Sequence, residues 1–295
     1  MKIALVTCRH VPHPDGDLEP LRAALHARGL DAVVAAWDDT SVPWATFDLC
    51  LLRSTWNYIH HLDEFIPWTR HVNDVSRLWN PAKIVEWNTD KIYLRTLEAR
   101  GVPVVPTLFV DRSPPGGSPL ADGIAQQVRH RGWTDIVVKP RVSAGSFGTR
   151  RFSDPADALS FAMELTTHRD AMIQPYVASV DDYGERSLIW IDGELTHAIR
   201  KAPRLAGDQE NITGPFPIDE RERALALAAL GHLTDELLYA RIDIAQDTQG
   251  LPMLMELELT EPSLYLPYSD NALARLADAV RSYATLPRRN PASRE

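Results

Sequence analysis

The sequence predicts an α/β fold in three parts: an N-terminal doubly wound α/β domain, a central subdomain and a C-terminal α+β subdomain. Three observations carry this expectation. Strand-like and helix-like segments alternate through the first ~85 residues, as in a layered α/β sheet. Residues 135–152, DIVVKPRVSAGSFGTRRF, place a lysine at the end of an apolar strand and a small, glycine-spaced loop after it. A late hairpin contains MELELTEP, from Met255 to Pro262, which sets carboxylates at alternate positions of a strand.

Taken in order, residues 2–7 form a short apolar strand, and residues 18–28 have helical spacing that stops at Gly29, a suitable C′ residue. Strands follow at 31–36 and 47–53, the second running directly into RSTWNY. Parallel sheets bind ligands beyond the carboxyl ends of their strands, which puts that loop in a cleft. Asn80-Pro81 marks a linker, and Asn88 is placed to cap a helix over 89–99 that ends at Gly101. Residues 111–119, with Pro-Pro and Gly-Gly, read as an irregular loop. A helix near 121–131, a strand at 136–139, a return strand at 149–152, a helix at 155–166 and a strand at 172–174 complete the central unit.

Strands at 187–191 and 194–200 flank Asp192-Gly193, a two-residue hairpin signal. Residues 201–217 are rich in Pro, Gly and polar side chains and are expected to be a mobile loop. A helix over 218–238 leads to a hairpin of 239–245 and 252–259, followed by a helix near 271–284. The expected division is therefore 1–87, 88–176 and 177–286, with a polar, disordered tail at 287–295.

Composition removes several classes of function. The 295 residues carry a formal net charge of −9, which argues against a nucleic-acid groove. No apolar run reaches the ~18 residues of a membrane span, and MKIALVTCRH lacks a secretory pattern. The two cysteines, Cys8 and Cys50, both fall in apolar strand-like surroundings and read as reduced thiols of a cytoplasmic protein. In that compartment the sequon at Asn211 has no use.

Lys139 either carries its ammonium out to solvent or aims it at a phosphate. The loop after it has Ser143, Gly145, Ser146 and Gly148, small residues that let backbone N–H groups approach phosphate oxygens. By itself such a loop is more often a plain hairpin. It is neither a P-loop nor a dinucleotide fingerprint. Glu256 and Glu258 share one face of their strand, with Asp243 on the hairpin partner. A solvated sheet face is the bland explanation. The apolar surroundings favour burial instead, and buried carboxylates that close need a cation, Mg²⁺ with nucleotide phosphates being the natural one.

The ordered set now matches a known pattern. Lys91, Lys139 with its glycine loop, Gln174-Pro175-Tyr176-Val177, GERSLIWIDGELTHAIRKAP and Asp243…Glu256-x-Glu258 resemble the ATP-grasp superfamily, in its glutathione-synthetase-like branch, over residues 88–266. The resemblance implies ATP between the central lid and the C-terminal subdomain. It implies Lys91 and Lys139 on the phosphates, the 145–148 loop closing over them, and Gln174, Tyr176 and Val177 as the adenine hinge. Asp182 or Glu185 would hold the ribose, and Asp243, Glu256 and Glu258 two Mg²⁺. Arg186, Lys201 and Arg241 would stabilise the transferred phosphoryl group. The sequence departs from the family where Glu258 replaces a usual Asn and Lys201 an arginine, a point charge in place of a bidentate fork.

The substrate side is read from Arg53, Ser54, Thr55 and Trp56. Arg53 could clamp a carboxylate and the hydroxyls could bind polar groups, with Trp56 and Tyr58 as packing residues in the competing reading. The LRSTW motif, with Asn80-Pro81 and the downstream WNTDK, is similar to the ATP-grasp cyclo-ligases of cycloserine biosynthesis. That similarity implies an ATP-dependent cyclo-ligase for a small amino-acid-like substrate, O-ureido-D-serine, and a homo-oligomer. An intermolecular amino-acid or peptide ligase and a non-catalytic ATP-binding module are the alternatives. His10, His13, His60 and His61 lack acidic or cysteine partners at ligand spacing, and His197 reads as a packing or substrate-edge residue.

Overall fold

The computed structural model describes residues 1–112, 118–202 and 211–286. Part of the expected irregular loop (113–117), part of the expected mobile loop (203–210) and the tail (287–295) lie outside the described residues. The first part runs β1 (Lys2–Thr7), α1 (Leu18–His26), β2 (Asp31–Ala36), β3 (Leu49–Leu52), α2 (Leu62–Val75), β4 (Leu78–Trp79), α3 (Ala82–Asn88) and α4 (Tyr93–Ala99). The second runs β5 (Leu108–Val110), α5 (Ser118–His130), β6 (Ile136–Pro140), β7 (Arg150–Phe152), α6 (Pro155–Thr166) and β8 (Ala171–Pro175). The third runs α7 (Ser179–Asp182), β9 (Glu185–Ile191), β10 (Glu194–Lys201), β11 (Ile212–Phe216), α8 (Glu220–Leu230), β12 (Tyr239–Gln246), β13 (Pro252–Glu258) and α9 (Asp270–Thr285).

Strands β1 to β4 form a parallel sheet in the order β2-β1-β3-β4. The strands are apolar on both faces because both are covered. Ile3, Leu5, Leu49 and Leu51 pack with α1 and α9, and Ala4, Val6, Cys50 and Leu52 with α2. The second sheet, β5-β8-β6-β7, is antiparallel and buries one face under α5 and α6 through Ile124, Val128, Ala158 and Ala162. Its other face carries Lys139.

The third sheet, β11-β10-β9-β12-β13, is also antiparallel. Leu188, Trp190, Ile242, Ile244 and Leu257 line one face against α4 and α8. The opposite face is apolar at one end, where Ile189, Ile191, Ile199 and Tyr239 meet α9, and charged at the other. The hairpin signal is realised at Asp192 (φ 44°) and Gly193 (φ 89°), the positive-φ pair that a type I′ turn requires.

Several elements differ from expectation. The segment 89–99 is not one helix capped by Asn88. Asn88 ends α3, and its carboxamide instead donates to the Leu257 carbonyl (2.7 Å) and accepts from the Leu259 amide (2.7 Å). It satisfies a stretch of β13 as a neighbouring strand would. The helix expected over 218–238 stops at Leu230: a capping box of Asp219 and Glu222 starts it, and Gly231 (φ 50°) turns the chain into a short 3₁₀ segment, Gly231–Glu236. Within 201–217, residues 212–216 are strand β11 on the sheet edge, where Pro215 needs no ladder donor. The expected strand 47–53 contracts to β3, and helix 18–28 ends at His26.

Asn80 does for β12 what Asn88 does for β13. It accepts from the Leu238 amide (2.8 Å) and donates to the carbonyls of Tyr239 (2.9 Å) and Leu259 (2.6 Å). These two side chains dock the end of the first part onto the third sheet. Asn88→Ala leaves the buried Leu259 amide unpaired and the Leu257 carbonyl with the Tyr93 hydroxyl in place of two donors, so unfolding free energy should fall by about 1–3 kcal/mol in urea titrations. A change below about 0.5 kcal/mol would show that water or backbone relaxation replaces the carboxamide.

Candidate active site

The charged end of the third sheet is set by strand register. Asp243 stands opposite Glu256 and Ser187, Arg241 opposite Glu258, and Lys201 opposite Glu185. All seven side chains therefore share a face, and they pair. Arg241 donates to Asp243 (2.9 and 3.0 Å) and to Glu258; Lys201 meets Asp243 (3.2 Å) and Glu185; Ser187 donates to Asp243 (2.5 Å). Lys91 reaches in between α3 and α4 to meet Glu256 (2.9 Å) and to donate to the Ser143 carbonyl (2.7 Å).

Burial and pairing compete at each group. Burial opposes ionisation of Asp243, but Arg241 and Lys201 outweigh it and hold the carboxyl well below its ordinary value. Glu256 is likewise held down, with Lys91 and Lys139 overcoming burial. Burial wins at Glu258, pushed up to about 7 with help from Glu256 and Asp243 and against Arg241. At Lys139 burial lowers the ammonium's pKa despite the attraction of Glu256. Lys139 makes no hydrogen bond or ion pair with any described residue, unlike Lys91, Lys201 and Arg241. It faces the carboxylates from the second sheet.

Between the two sheets lies the glycine loop. Gly145, Ser146 and Gly148 all have positive φ (58°, 63° and 70°), and a Cβ at 148 would stand 2.9 Å from Pro140 Cγ. Ser143 is buried and is the contact for Lys91. Arg141, not singled out from sequence, braces the loop's start through Asp90 (2.6 Å), Asp111 (2.7 Å) and Asp170 (3.4 Å). Its signal was available as the lone arginine between the strand lysine and the loop.

The hinge segment is partly committed. Gln174 donates to Thr107 Oγ1 (2.8 Å), the Tyr176 amide to the Asp135 carbonyl (2.8 Å) and the Tyr176 hydroxyl to Asp181 (2.5 Å). The Val177 amide makes no hydrogen bond among the described residues. Glu185 is half-buried on the charged face, whereas Asp182 is exposed on α7 and separated from it.

One expectation is overturned outright. Arg186 lies between Glu185 and Ser187, so the two-residue period of β9 sends it to the opposite face. There it pairs with Glu222 (2.5 Å) and donates to the Pro217 carbonyl (2.8 Å), away from Lys201 and Arg241.

The substrate-side residues sit at the carboxyl end of β3. Arg53 is 1% exposed, and its Nη2 bonds Asp17 (3.0 Å) and the Pro262 carbonyl (3.1 Å). Its Nε and Nη1, Ser54 Oγ and Thr55 Oγ1 are buried without a partner among the described residues. Arg53 is thus a brace before it is a clamp. Trp56 donates to the Glu261 carbonyl (3.3 Å) and contacts the His13 ring, tilted by 31° at 4.2 Å, while Tyr58 is buried on Phe65. His197, also buried, has an unpartnered Nε2 among the described residues. Sequence reasoning passed over Glu261, which lies beyond β13 and is pushed up to about 8 by burial and then by Glu258.

Among the described residues no three acidic, histidine or cysteine side chains form a ready-made metal group. Asp243, Glu256 and Glu258 nonetheless offer only oxygen donors on one face, a set that fits a hard cation. An ion would exchange with Lys91, Lys201 and Arg241 as their counter-charge.

Comparison with known proteins decides the family. The profile of the D-cycloserine synthetase DcsG N-terminal domain matches residues 3–80. The cycloserine biosynthesis protein DcsG of Streptomyces lavendulae is 35% identical over 297 residues, covering 94% of this chain and 97% of that protein. The chain belongs to the DcsG family of ATP-grasp ligases. The crystal structure of D-cycloserine synthetase DcsG superposes with a TM-score of 0.86 at 33% identity, over 97% of this chain and all of that one. A D-alanine–D-alanine ligase from Bacillus anthracis complexed with ATP shares the fold, with a TM-score of 0.67 at 16% identity over 96% of this chain and 97% of that one. The DcsG-family chain described here has no helix long and apolar enough to cross a membrane among its described residues.

The raised carboxyls carry a pH signature. A carboxyl whose folded value lies above its ordinary 4.5 binds its proton more tightly when folded, so its stabilisation is complete below 4.5 and lost as pH rises. Without nucleotide, this DcsG-family protein should lose stability between pH ~4.5 and ~8. Glu261→Gln should flatten that loss in urea midpoints measured at pH 5, 6, 7 and 8; an unchanged slope would place the proton elsewhere.

Proposed function

We propose that this chain is an ATP-dependent carboxylate–amine ligase that closes a ring within one amino-acid-like molecule, acting on O-ureido-D-serine to form D-cycloserine. The observation that carries the reading is the unpartnered Lys139 ammonium, facing a wall of carboxylates in a chain of the DcsG family. A half-buried cation held without an ion-pair partner is costly, and nucleotide phosphates supply the anion.

Lys139 and Lys91 bind the ATP phosphates, and the backbone of residues 143–148 covers them. The Val177 amide meets the adenine edge and Glu185 the ribose. Asp243, Glu256 and Glu258 would hold two Mg²⁺, whose contribution when bound is to neutralise phosphate charge. Lys201 and Arg241, already turned to this face, stabilise the phosphoryl group as it passes to the substrate carboxylate. The resulting acyl phosphate is attacked by the oxygen-bound ureido nitrogen of the same molecule, phosphate leaves, and hydrolysis of the carbamoyl group to carbon dioxide and ammonia frees the ring. Closure of the glycine loop keeps water from that intermediate. Arg53, Ser54 and Thr55 supply unpaired donors to the polar end of the substrate, and Trp56 a flat wall.

ADP release with Mg-ATP, measured against amino-acid-like carboxylates offered singly and in pairs, tests the proposal. Release with O-ureido-D-serine alone, with a cyclised product by mass, is expected. Release only with pairs would make the protein an intermolecular ligase, and silence with ATP still bound a binding module. Glu256→Gln should abolish turnover with an unchanged circular-dichroism spectrum. Lys139→Met should raise the KM for ATP by about tenfold or more, in line with a lost charge-assisted contact.

A further inference from the structure

We propose that Glu261 is the receptor for the substrate's ammonium group and so a specificity-determining residue of the site. The inference rests on the ligase reading above, which makes the substrate amino-acid-like.

Glu261 belongs to the segment that crosses from β13 to the first sheet. Around it the segment is clamped in place. The Leu259 amide is bound by Asn88 (2.7 Å), the Thr260 carbonyl by the Tyr239 hydroxyl (2.8 Å), and the Pro262 carbonyl by Arg53 (3.1 Å). The amides of Leu264 and Leu266 both donate to Asp17 (2.5 and 2.7 Å). The Glu261 carbonyl is itself held by Trp56. Its carboxyl group has no hydrogen bond or ion pair with any described residue, although the residue is only 7% exposed.

The cations nearby are already committed. Lys91 is on Glu256, Arg241 on Asp243 and Glu258, Lys201 on Glu185 and Asp243, and Arg53 on Asp17. Glu258 and Glu256 repel Glu261, and Lys91 and Arg241, which attract it without pairing with it, do not outweigh its burial. A carboxylate buried so far is retained at a cost unless a cation joins it. The cation that fits must arrive from outside, be small, and be a hydrogen-bond donor.

Position identifies it. Glu261 is tethered on one side to Trp56, next to the unpaired donors of Arg53, Ser54 and Thr55, and on the other to the strand bearing Glu256 and Glu258. A substrate whose carboxylate faces the phosphoryl group carries its ammonium on the neighbouring carbon. That ammonium therefore falls at the junction where Glu261 stands. Pairing with it would relieve the burial that otherwise keeps the Glu261 proton on. The proposal distinguishes Glu261 from the carboxylates of the phosphoryl-transfer face, which have protein cations and await metal.

Steady-state ADP release by the full chain, with Mg-ATP and O-ureido-D-serine, provides the test. Glu261→Gln should raise the KM for the amino-acid substrate by about 30-fold or more, as for a truncated buried charge pair. The KM for ATP and the Mg²⁺ dependence should stay within about twofold. The desamino analogue, in which hydrogen replaces the ammonium, should bind wild type as weakly as the natural substrate binds the variant, with no further loss when variant and analogue are combined. The analogue series on wild type stands even if the variant folds poorly. A variant that loses kcat with KM unchanged would make Glu261 a proton acceptor, and an altered Mg²⁺ dependence a metal ligand; either overturns the inference. An active wild type that does not discriminate against the desamino analogue overturns the inference alone. A wild type that releases ADP with no amino-acid-like carboxylate takes the ligase reading down with it.

Discussion

Charge compensation on a single sheet face governs this structure. Three strands, β9, β12 and β13, bring Glu185, Asp243, Glu256 and Glu258 together on a largely half-buried face, and such a set could not all stay ionised without counter-charge. Lys201 and Arg241 come from the same sheet, while Lys91 is delivered from the segment between α3 and α4. The face is thus assembled only when the first and third parts are docked. The balance differs from group to group: Asp243 and Glu256 are held down by their cations, and Glu258 is pushed up because burial and the neighbouring carboxylates outweigh Arg241 and Lys201.

Docking in turn depends on buried amides and hydroxyls that act as short strands. Asn80 and Asn88 each satisfy backbone groups of β12, β13 or the chain just beyond them, and Tyr93 does the same, its hydroxyl bonding both the carbonyl (2.8 Å) and the amide (2.9 Å) of Leu257. Tyr239 and the Arg53–Asp17 pair complete the junction by fixing residues 260–266 against the parallel sheet. Buried side chains with fixed hydrogen-bonding directions locate a cleft more sharply than apolar packing does, since a wrong register leaves their partners unsatisfied. The same junction carries both the loop of residues 53–58 and Glu261.

The lid is held by a different device. Arg141 gathers Asp90, Asp111 and Asp170, which ties the base of the glycine loop to the residue preceding Lys91. The loop tip extends Phe147 edge-on to His60 of the first part, at 4.9 Å.

Local pattern alone determined much of this protein. The alternation of strands and helices, the Asp192-Gly193 turn, the strand lysine, the glycine loop and the period-two carboxylates were legible because each depends on near neighbours in the chain. Period two also held the answer for Arg186: two carboxylate-face residues flank it, so it had to point the other way. What only the tertiary structure decided were partners distant in sequence. Asn88 resembles a helix cap until Leu257 and Leu259 stand beside it, Arg53 resembles a free clamp until Asp17 reaches it, and residues 212–216 resemble a loop until β10 offers an edge. Glu261 is buried and makes no ion pair with any described residue, and that is a property of the assembled cleft, because burial and counter-charge are set by chain segments that meet only in the fold.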